Sequence, residues 1–301
     1  MPCDIHVGTA SWTDPTLLAC GRFYPPDATT PERRLRHYAS RFSFVEVDAS
    51  YYRLPDPATT HRWTQRTPDH FLFNVKAFRL FTGHPTPRDA FPSDLRRALP
   101  EGDTAAVYYR DVPEEIRAEL WRRFTIAVEP LRMAGKLGAL HFQFPPWVRR
   151  NTRSIRHVER CAFLAQEHTL AVEFRDASWF EGEAAAQTLA WERELGAAHV
   201  VVDSPVGVPN TAPAVWETTH PELAVVRLHG RNAAAWNTQT SASSGRFMYE
   251  YSPEELDELA RRIARLSKTM RDTHVVLNTN FEDQGMRNAA NLKSRIATLQ
   301  Q

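Results

Sequence analysis

The chain has 301 residues, a formal net charge of +1, 42% apolar and 24% charged residues. That length suits one large α/β domain or two smaller ones, and the near-neutral balance excludes a global basic field for nucleic acid and an acidic tail. Cys3, Cys20 and Cys161 are odd in number and lack CxxC spacing, so neither a disulfide framework nor a zinc knuckle is expected. The N-terminus runs directly into a strand pattern, and no apolar run nears the roughly 20 residues of a membrane span. A cytoplasmic protein without membrane association is the expectation.

Strand patterns open at 4–11 (DIHVGTAS) and recur at 44–50, 71–78, 137–144, 169–175, 198–203, 223–230 and 274–280. Helical patterns fall between them at 31–40, 57–66, 114–133, 152–167, 182–195, 253–270 and 285–299. Two helices carry start signals: Thr30 before Pro31, and Ser252 before Pro253 with Glu255 at the third helical position. The stretch 79–113 is irregular, a lid-like insertion or a set of short helices; 205–222 is polar, proline-rich and without a helix pattern. Eight strands alternating with helices predict parallel pairing through right-handed crossovers. GTASW follows the first strand where an open nucleotide-binding sheet would carry a glycine-rich phosphate turn, so a closed TIM-barrel-like (β/α)8 barrel in one domain, 1–301, is the predicted fold.

Strand parity points to a site. One parity is apolar and should face the helices: Val45, Val47, Phe71, Phe73, Val75, Leu140, Phe142, Val172, Phe174, Val226, Leu228, Val275 and Leu277. The other turns polar toward the C-terminal ends: Thr9, Ser11, Glu46, Asp48, Ser50, Asn74, Lys76, His141, Gln143, Glu173, Arg175, Asp203, Arg227, His229, Asn278 and Asn280. In AVVRLHGRN, Arg227, His229 and Arg231 recur at every second position on one face. Such barrels hold their active sites at the C-terminal mouth, and unpaired charges inside a barrel are costly. Any single member of this ring is as well explained by a structural ion pair as by function, His141 is best read as a satisfied core histidine, and Asn74 lies a layer deeper; the ring as a set favours function.

Trp12, Trp147, Trp179, Trp216 and Trp236 fall after strands or in the loops beyond them, where they cap the barrel or stack on a ligand ring; Trp12 and Trp179 sit directly on strand ends. Trp63, Trp121 and Trp191 lie on helices and read as packing residues.

The blocks GTASW, FYP, VEVDASYY, RWTQRTPDHFLFNVK, KLGALHFQFPP, VEFRDASW, DSP, VRLHGR and LNTN occur in an order that resembles the DUF72 family, also called YecE-like, over nearly the whole chain. The resemblance implies a TIM-barrel-like fold and leaves the activity open. The family pattern falls on Glu46, Lys76, Gln143, Glu173, Arg175, Trp179, Asp203, Arg227, His229 and Asn278. The chain departs from it at Ser11, where the family usually has glycine, and at Asp48 and Thr279, where it usually has asparagine. Asp48 adds a carboxylate beside Glu46, which bears on charge balance and metal affinity.

Three functions fit these residues. The first is an enzyme acting on an anionic small molecule, phosphorylated or carboxylated. Glu46, Glu173, Asp203 and His229 would supply acid–base chemistry, and Lys76, Gln143, Arg175, Trp12, Trp179, Arg227, Arg231 and Asn278 would bind substrate. The second is a divalent-metal-dependent phosphodiester hydrolase or sugar isomerase using Glu46, Glu173, Asp203 and His229. The cations nearby and the absence of HxH or HExxH spacing oppose it, so no metal or cofactor is expected. The third is a non-enzymatic module for single-stranded nucleic acid, which the charge balance disfavours.

Overall fold

The computed structural model describes residues 3–102, 104–236 and 247–300. Eight parallel strands close a barrel in which each strand neighbours the next in sequence and the last pairs with the first. They are β1 (Asp4–Thr9), β2 (Phe44–Val47), β3 (Leu72–Lys76), β4 (Leu137–Phe144), β5 (Leu170–Phe174), β6 (Ala198–Asp203), β7 (Leu223–Leu228) and β8 (Asp272–Leu277). This is the predicted (β/α)8 architecture, and 137–144 and 198–203 are matched to the residue. Strand two ends early because Ala49–Tyr52 turns into one helical turn.

The helical layer follows the expected spans. Thr30 accepts from the Arg33 amide at the start of Pro31–Ala39, and Ser252 and Glu255 form a reciprocal capping box on Pro253–Leu266. Short helices Pro15–Cys20 and Ala49–Tyr52 have no counterpart in the periodicity, since neither is long enough to show one. The irregular 79–113 stretch contains a two-stranded antiparallel ribbon, Thr86–Pro87 against Ala106–Val107, and the short helix Ser93–Arg97.

The apolar parity faces the helices as predicted: Val45, Phe73, Phe142, Val172, Val226 and Val275 all belong to the core between barrel and helices. The barrel interior begins at the N-terminal end with small and apolar groups. Phe44 packs on one side, and Ala139, Ala171, Ala198 and Val225 on the other, while Ala10 and Val276 lie higher, near the C-terminal ends of β1 and β8. At the level of this plug His274 packs on Phe44, and its Nδ1 lies 3.0 Å from Asn74 Oδ1, which places Asn74 below the polar ring.

Two strands reverse the parity expected of them. In β6 the interior residues are Ala198, Val200 and Val202, so Asp203 points outward with Val201. In β1 the interior positions are Gly8 and Ala10. Thr9 faces the helices, where its hydroxyl lies 2.9 Å from the Tyr38 hydroxyl. Ser11, past the strand end, holds φ at 134°, a region that glycine enters freely and serine only with strain. A glycine, which the resemblance leads one to expect at this position, would carry no such strain.

Candidate active site

The ring read from the other strands converges on one buried centre. Glu46 on β2, His141 on β4, Glu173 on β5 and Arg227 on β7 are all 0% exposed. The Arg227 guanidinium spans the barrel, with Nη2 2.6 Å from Glu46 Oε1 and Nη1 2.7 Å from Glu173 Oε2. His141 lies between the same carboxylates, with Nδ1 3.0 Å from Glu46 and Nε2 3.2 Å from Glu173. It is a core histidine, as expected, but one wedged into the charged centre. Burial alone would raise both glutamates; the Arg227 charge outweighs it and holds Glu46 and Glu173 well below the ordinary carboxylate range. Those carboxylates in turn push the Arg227 guanidinium upward.

A second tier lies above this floor. Glu173 Oε1 accepts from Gln143 Nε2 at 2.6 Å and from Arg175 Nη1 at 3.0 Å, and His229 Nε2 lies 3.2 Å away. Asn278 Nδ2 lies 2.8 Å from His229 Nδ1 and fixes the far side of the ring. Burial lowers the His229 pKa to about 3, so the imidazole is neutral near pH 7. Trp236 and Phe247 cover it, with ring centroids 6.1 and 5.6 Å away, and the Arg175 guanidinium lies 4.8 Å from the Trp236 ring.

On the β2–β3 side the mouth is cationic. Lys76 Nζ lies 3.5 Å from Asp48 Oδ1 and 5.0 Å from the Tyr51 ring; Arg79 lies 5.1 Å from that ring. The Tyr51 ring also meets His84 edge-on at 5.1 Å. Burial first, then the positive charges of Lys76, Arg79 and Arg175, push the His84 pKa down to about 3. Asp48 is the opposite case. Burial raises it more than Lys76 lowers it, and its buried Oδ1 takes no hydrogen bond among the described residues.

Several residues singled out from sequence lie elsewhere. Asp203, outward on β6, pairs side-on with Arg231 (2.7–3.1 Å) and accepts from the Tyr251 hydroxyl at 2.7 Å; Arg231 also meets Glu255 at 3.2 Å. Both belong to the contact between β6 and the helix Pro253–Leu266 rather than to the ring. Trp179 is 0% exposed, stacked on Phe174 at 3.8 Å, and Trp12 is packed edge-on against Trp63 at 5.5 Å. Trp216 lies beneath the Arg262 guanidinium on the helix flank. Trp236 is the tryptophan at the mouth. Tyr51, Arg79, His84 and Trp236 join the site without having been selected as site residues. The first three lie past strand ends, where parity no longer indicates direction.

Among the described residues no three His, Cys, Asp or Glu side chains are grouped to hold a metal ion. Glu46 and Glu173 have the chemistry for it, but the Arg227 guanidinium fills the space between them. Also among the described residues, no helix is long and apolar enough to cross a membrane.

A closed parallel barrel with acids, amides and cations gathered at the C-terminal ends of its strands defines a TIM-barrel protein with a polar mouth. The chain belongs to the DUF72 family, described as a protein of unknown function, whose model matches residues 6–301. It is 28% identical over 279 residues to UPF0759 protein YunF of Bacillus subtilis (strain 168), covering 92% of this chain and 89% of that one. Crystal structures of DUF72 family proteins share the fold. One from Thermotoga maritima MSB8 is 26% identical with a TM-score of 0.76, covering 98% of this chain and 99% of that one. One from Enterococcus faecalis V583 is 23% identical with a TM-score of 0.78, covering 97% and 95%.

Proposed function

We propose that the mouth binds a phosphorylated or carboxylated small molecule and carries out acid–base chemistry on it. The observation that supports this most directly is the grouping of Lys76, Arg79 and Arg175 around Tyr51 and His84, where their charges add to burial in lowering the His84 pKa. That grouping marks a positive potential in a partly buried space, where a bound anion is held far more strongly than in water. In this reading Lys76 and Arg79 hold the anion. Asp48, the mouth carboxylate with a raised pKa, whose Oδ1 meets the Lys76 ammonium at 3.5 Å but takes no hydrogen bond among the described residues, moves the proton. Gln143 and Asn278 orient the substrate, and Glu46, Glu173 and Arg227 form the rigid floor.

The metal-dependent reading is weaker, because Arg227 already neutralises the two glutamates a cation would need. The nucleic-acid reading loses two of its stacking platforms with Trp12 and Trp179 buried. The test is thermal unfolding with inorganic phosphate against chloride at equal ionic strength. Phosphate at about 100 times its dissociation constant adds roughly 2.7 kcal/mol, a rise of several degrees. Lys76→Ala and Arg79→Ala should each remove most of the rise, while Asp48→Asn should preserve it. No phosphate-specific rise in the wild-type protein overturns the proposal.

A further inference from the structure

Beside the mouth, a separate cleft of about 470 Å³ opens between the Tyr108–Arg110 turn and the segment from Trp147 to His157. That size lies within the range of small-molecule sites. Its walls are aromatic and, among the described residues, its charges are of one sign: Tyr108, Tyr109, Trp147 and His157 line it with Arg110 and Arg153, and no described carboxylate contributes to the lining.

The floor is held rigidly. Tyr109 packs edge-on against His157 at 5.1 Å, with the Arg117 guanidinium 4.9 Å from its ring. The His157 Nε2 lies 2.8 Å from the Phe81 carbonyl oxygen, and burial lowers the His157 pKa, so this wall is apolar in character near neutral pH. The two upper rings are open. Trp147 is 55% exposed and Tyr108 40%, and the two share one cleft rather than standing singly on the surface. Trp147 is nevertheless fixed in place. Its Nε1 donates to the Gly83 carbonyl at 3.1 Å, and its ring meets His84 edge-on at 5.7 Å. A tryptophan held in one orientation with its surface uncovered is preorganised for a flat partner, because little rotamer entropy remains to be lost on binding. The charges select the sign of that partner. Arg153 is exposed and has no carboxylate partner among the described residues; Arg110 makes a surface pair with its neighbour Asp111 at 3.4 Å and lies 5.8 Å from the Tyr108 ring, so a cation already stands beside the aromatic wall.

We propose that this cleft is a binding site for a planar organic anion, an aromatic ring bearing an acidic group, with the ring against Trp147 and Tyr108 and the acid toward Arg153 and Arg110. It is a site distinct from the barrel mouth, and Lys76 takes no part in it.

Isothermal titration with 1-naphthyl phosphate, with inorganic phosphate as control, tests it on the full chain. The naphthyl compound should bind at least tenfold more tightly than phosphate. Trp147→Ala and Tyr108→Ala should each weaken it at least fivefold, Trp147→Phe should restore most of the affinity, and Arg153→Ala should weaken the naphthyl phosphate but not uncharged 2-naphthol. In Lys76→Ala, where the mouth no longer holds phosphate, one naphthyl phosphate site should remain, and adding Trp147→Ala to that chain should remove it. Equal affinities for the two phosphates, or full affinity in Trp147→Ala, overturn the cleft while leaving the mouth to its own test. Loss of naphthyl phosphate binding in Lys76→Ala also overturns it, by placing the ligand in the mouth. Thermal unfolding of each variant separates loss of binding from loss of fold.

Discussion

Arg227 Nη2 lies 2.6 Å from Glu46 Oε1, and the same guanidinium reaches Glu173 on the other side. One side chain thereby ties β2, β5 and β7 together through the barrel axis. Removing it leaves two carboxylates buried and facing each other with only His141 between them. Breaking a buried pair from one side costs about 3–5 kcal/mol, most of it the penalty of stranded charge. Arg227→Met should therefore lower the unfolding free energy by about that much in urea titrations at pH 7. Adding Glu46→Gln and Glu173→Gln to the same chain should recover a large part of the loss. An Arg227→Met protein within about 1 kcal/mol of wild type would show that the bridge is not what holds the strands.

The same burial fixes how stability depends on pH. His229 and His274 are fully buried, and burial lowers each to about 3 from 6.5. Between those values the unfolded chain binds protons that the folded chain does not, so stability falls as pH falls below 6.5. Each such histidine contributes about 1.4 kcal/mol per pH unit in that window. Glu46 and Glu173 are depressed, so their contribution is present above the unfolded carboxylate value of 4.5 and is lost only at lower pH. Urea midpoints should thus be level from pH 8 to 7 and decline from about 6.5 downward, before the depressed Glu46 and Glu173 titrate. A flat profile between pH 6.5 and 5 would contradict the neutral, buried state of these rings.

Much of this centre is legible in the sequence because most strands alternate. Glu46 stands between Val45 and Val47, Glu173 between Val172 and Phe174, and Arg227 between Val226 and Leu228, so each has one possible face. Asp203 ends the run AHVVVD, apolar at consecutive positions, which carries no period to set its direction. The run is buried on both faces, and the aspartate follows Val201 outward. In β1 the interior side is lined by Gly8 and Ala10, residues too small to register as an apolar face, so parity points the polar Thr9 inward although it faces Tyr38 in the helical layer. The tryptophans fail for another reason. Chain position beside a strand end does not determine where a long side chain turns, and Trp12 and Trp179 turn into the helical layer.

Ser11 gives a local test of backbone strain. Its φ of 134° costs a non-glycine residue on the order of 1–3 kcal/mol. Its Oγ also accepts from the Thr13 amide at 3.1 Å, so truncation has a cost of its own. Comparing Ser11→Gly with Ser11→Ala cancels that cost, because both lose the hydroxyl. The glycine variant should be the more stable of the two by about 1 kcal/mol, after allowing for the greater entropy glycine gives the unfolded chain. Equal stabilities would mean that the strand end relaxes and stores no strain.

Trp236 is 2% exposed and closes the space above His229, so its removal should be read first at that imidazole. Burial is the largest cause of the depressed His229 pKa. The Arg175 and Arg227 charges add to it, and Glu173 opposes it. Trp236→Ala admits water to one edge of the ring while leaving Glu173 and Asn278 in contact with it. The desolvation contribution then shrinks, the carboxylate beside Nε2 counts for more, and the pKa moves upward. In the wild-type protein the His229 Cε1–H resonance should not titrate between pH 5 and 8. In Trp236→Ala its titration should begin to enter the acidic end of that range, and it should stop short of 6.5 because both guanidiniums remain. Superimposable His229 titration curves in the two proteins would show that Trp236 does not keep the ring dry.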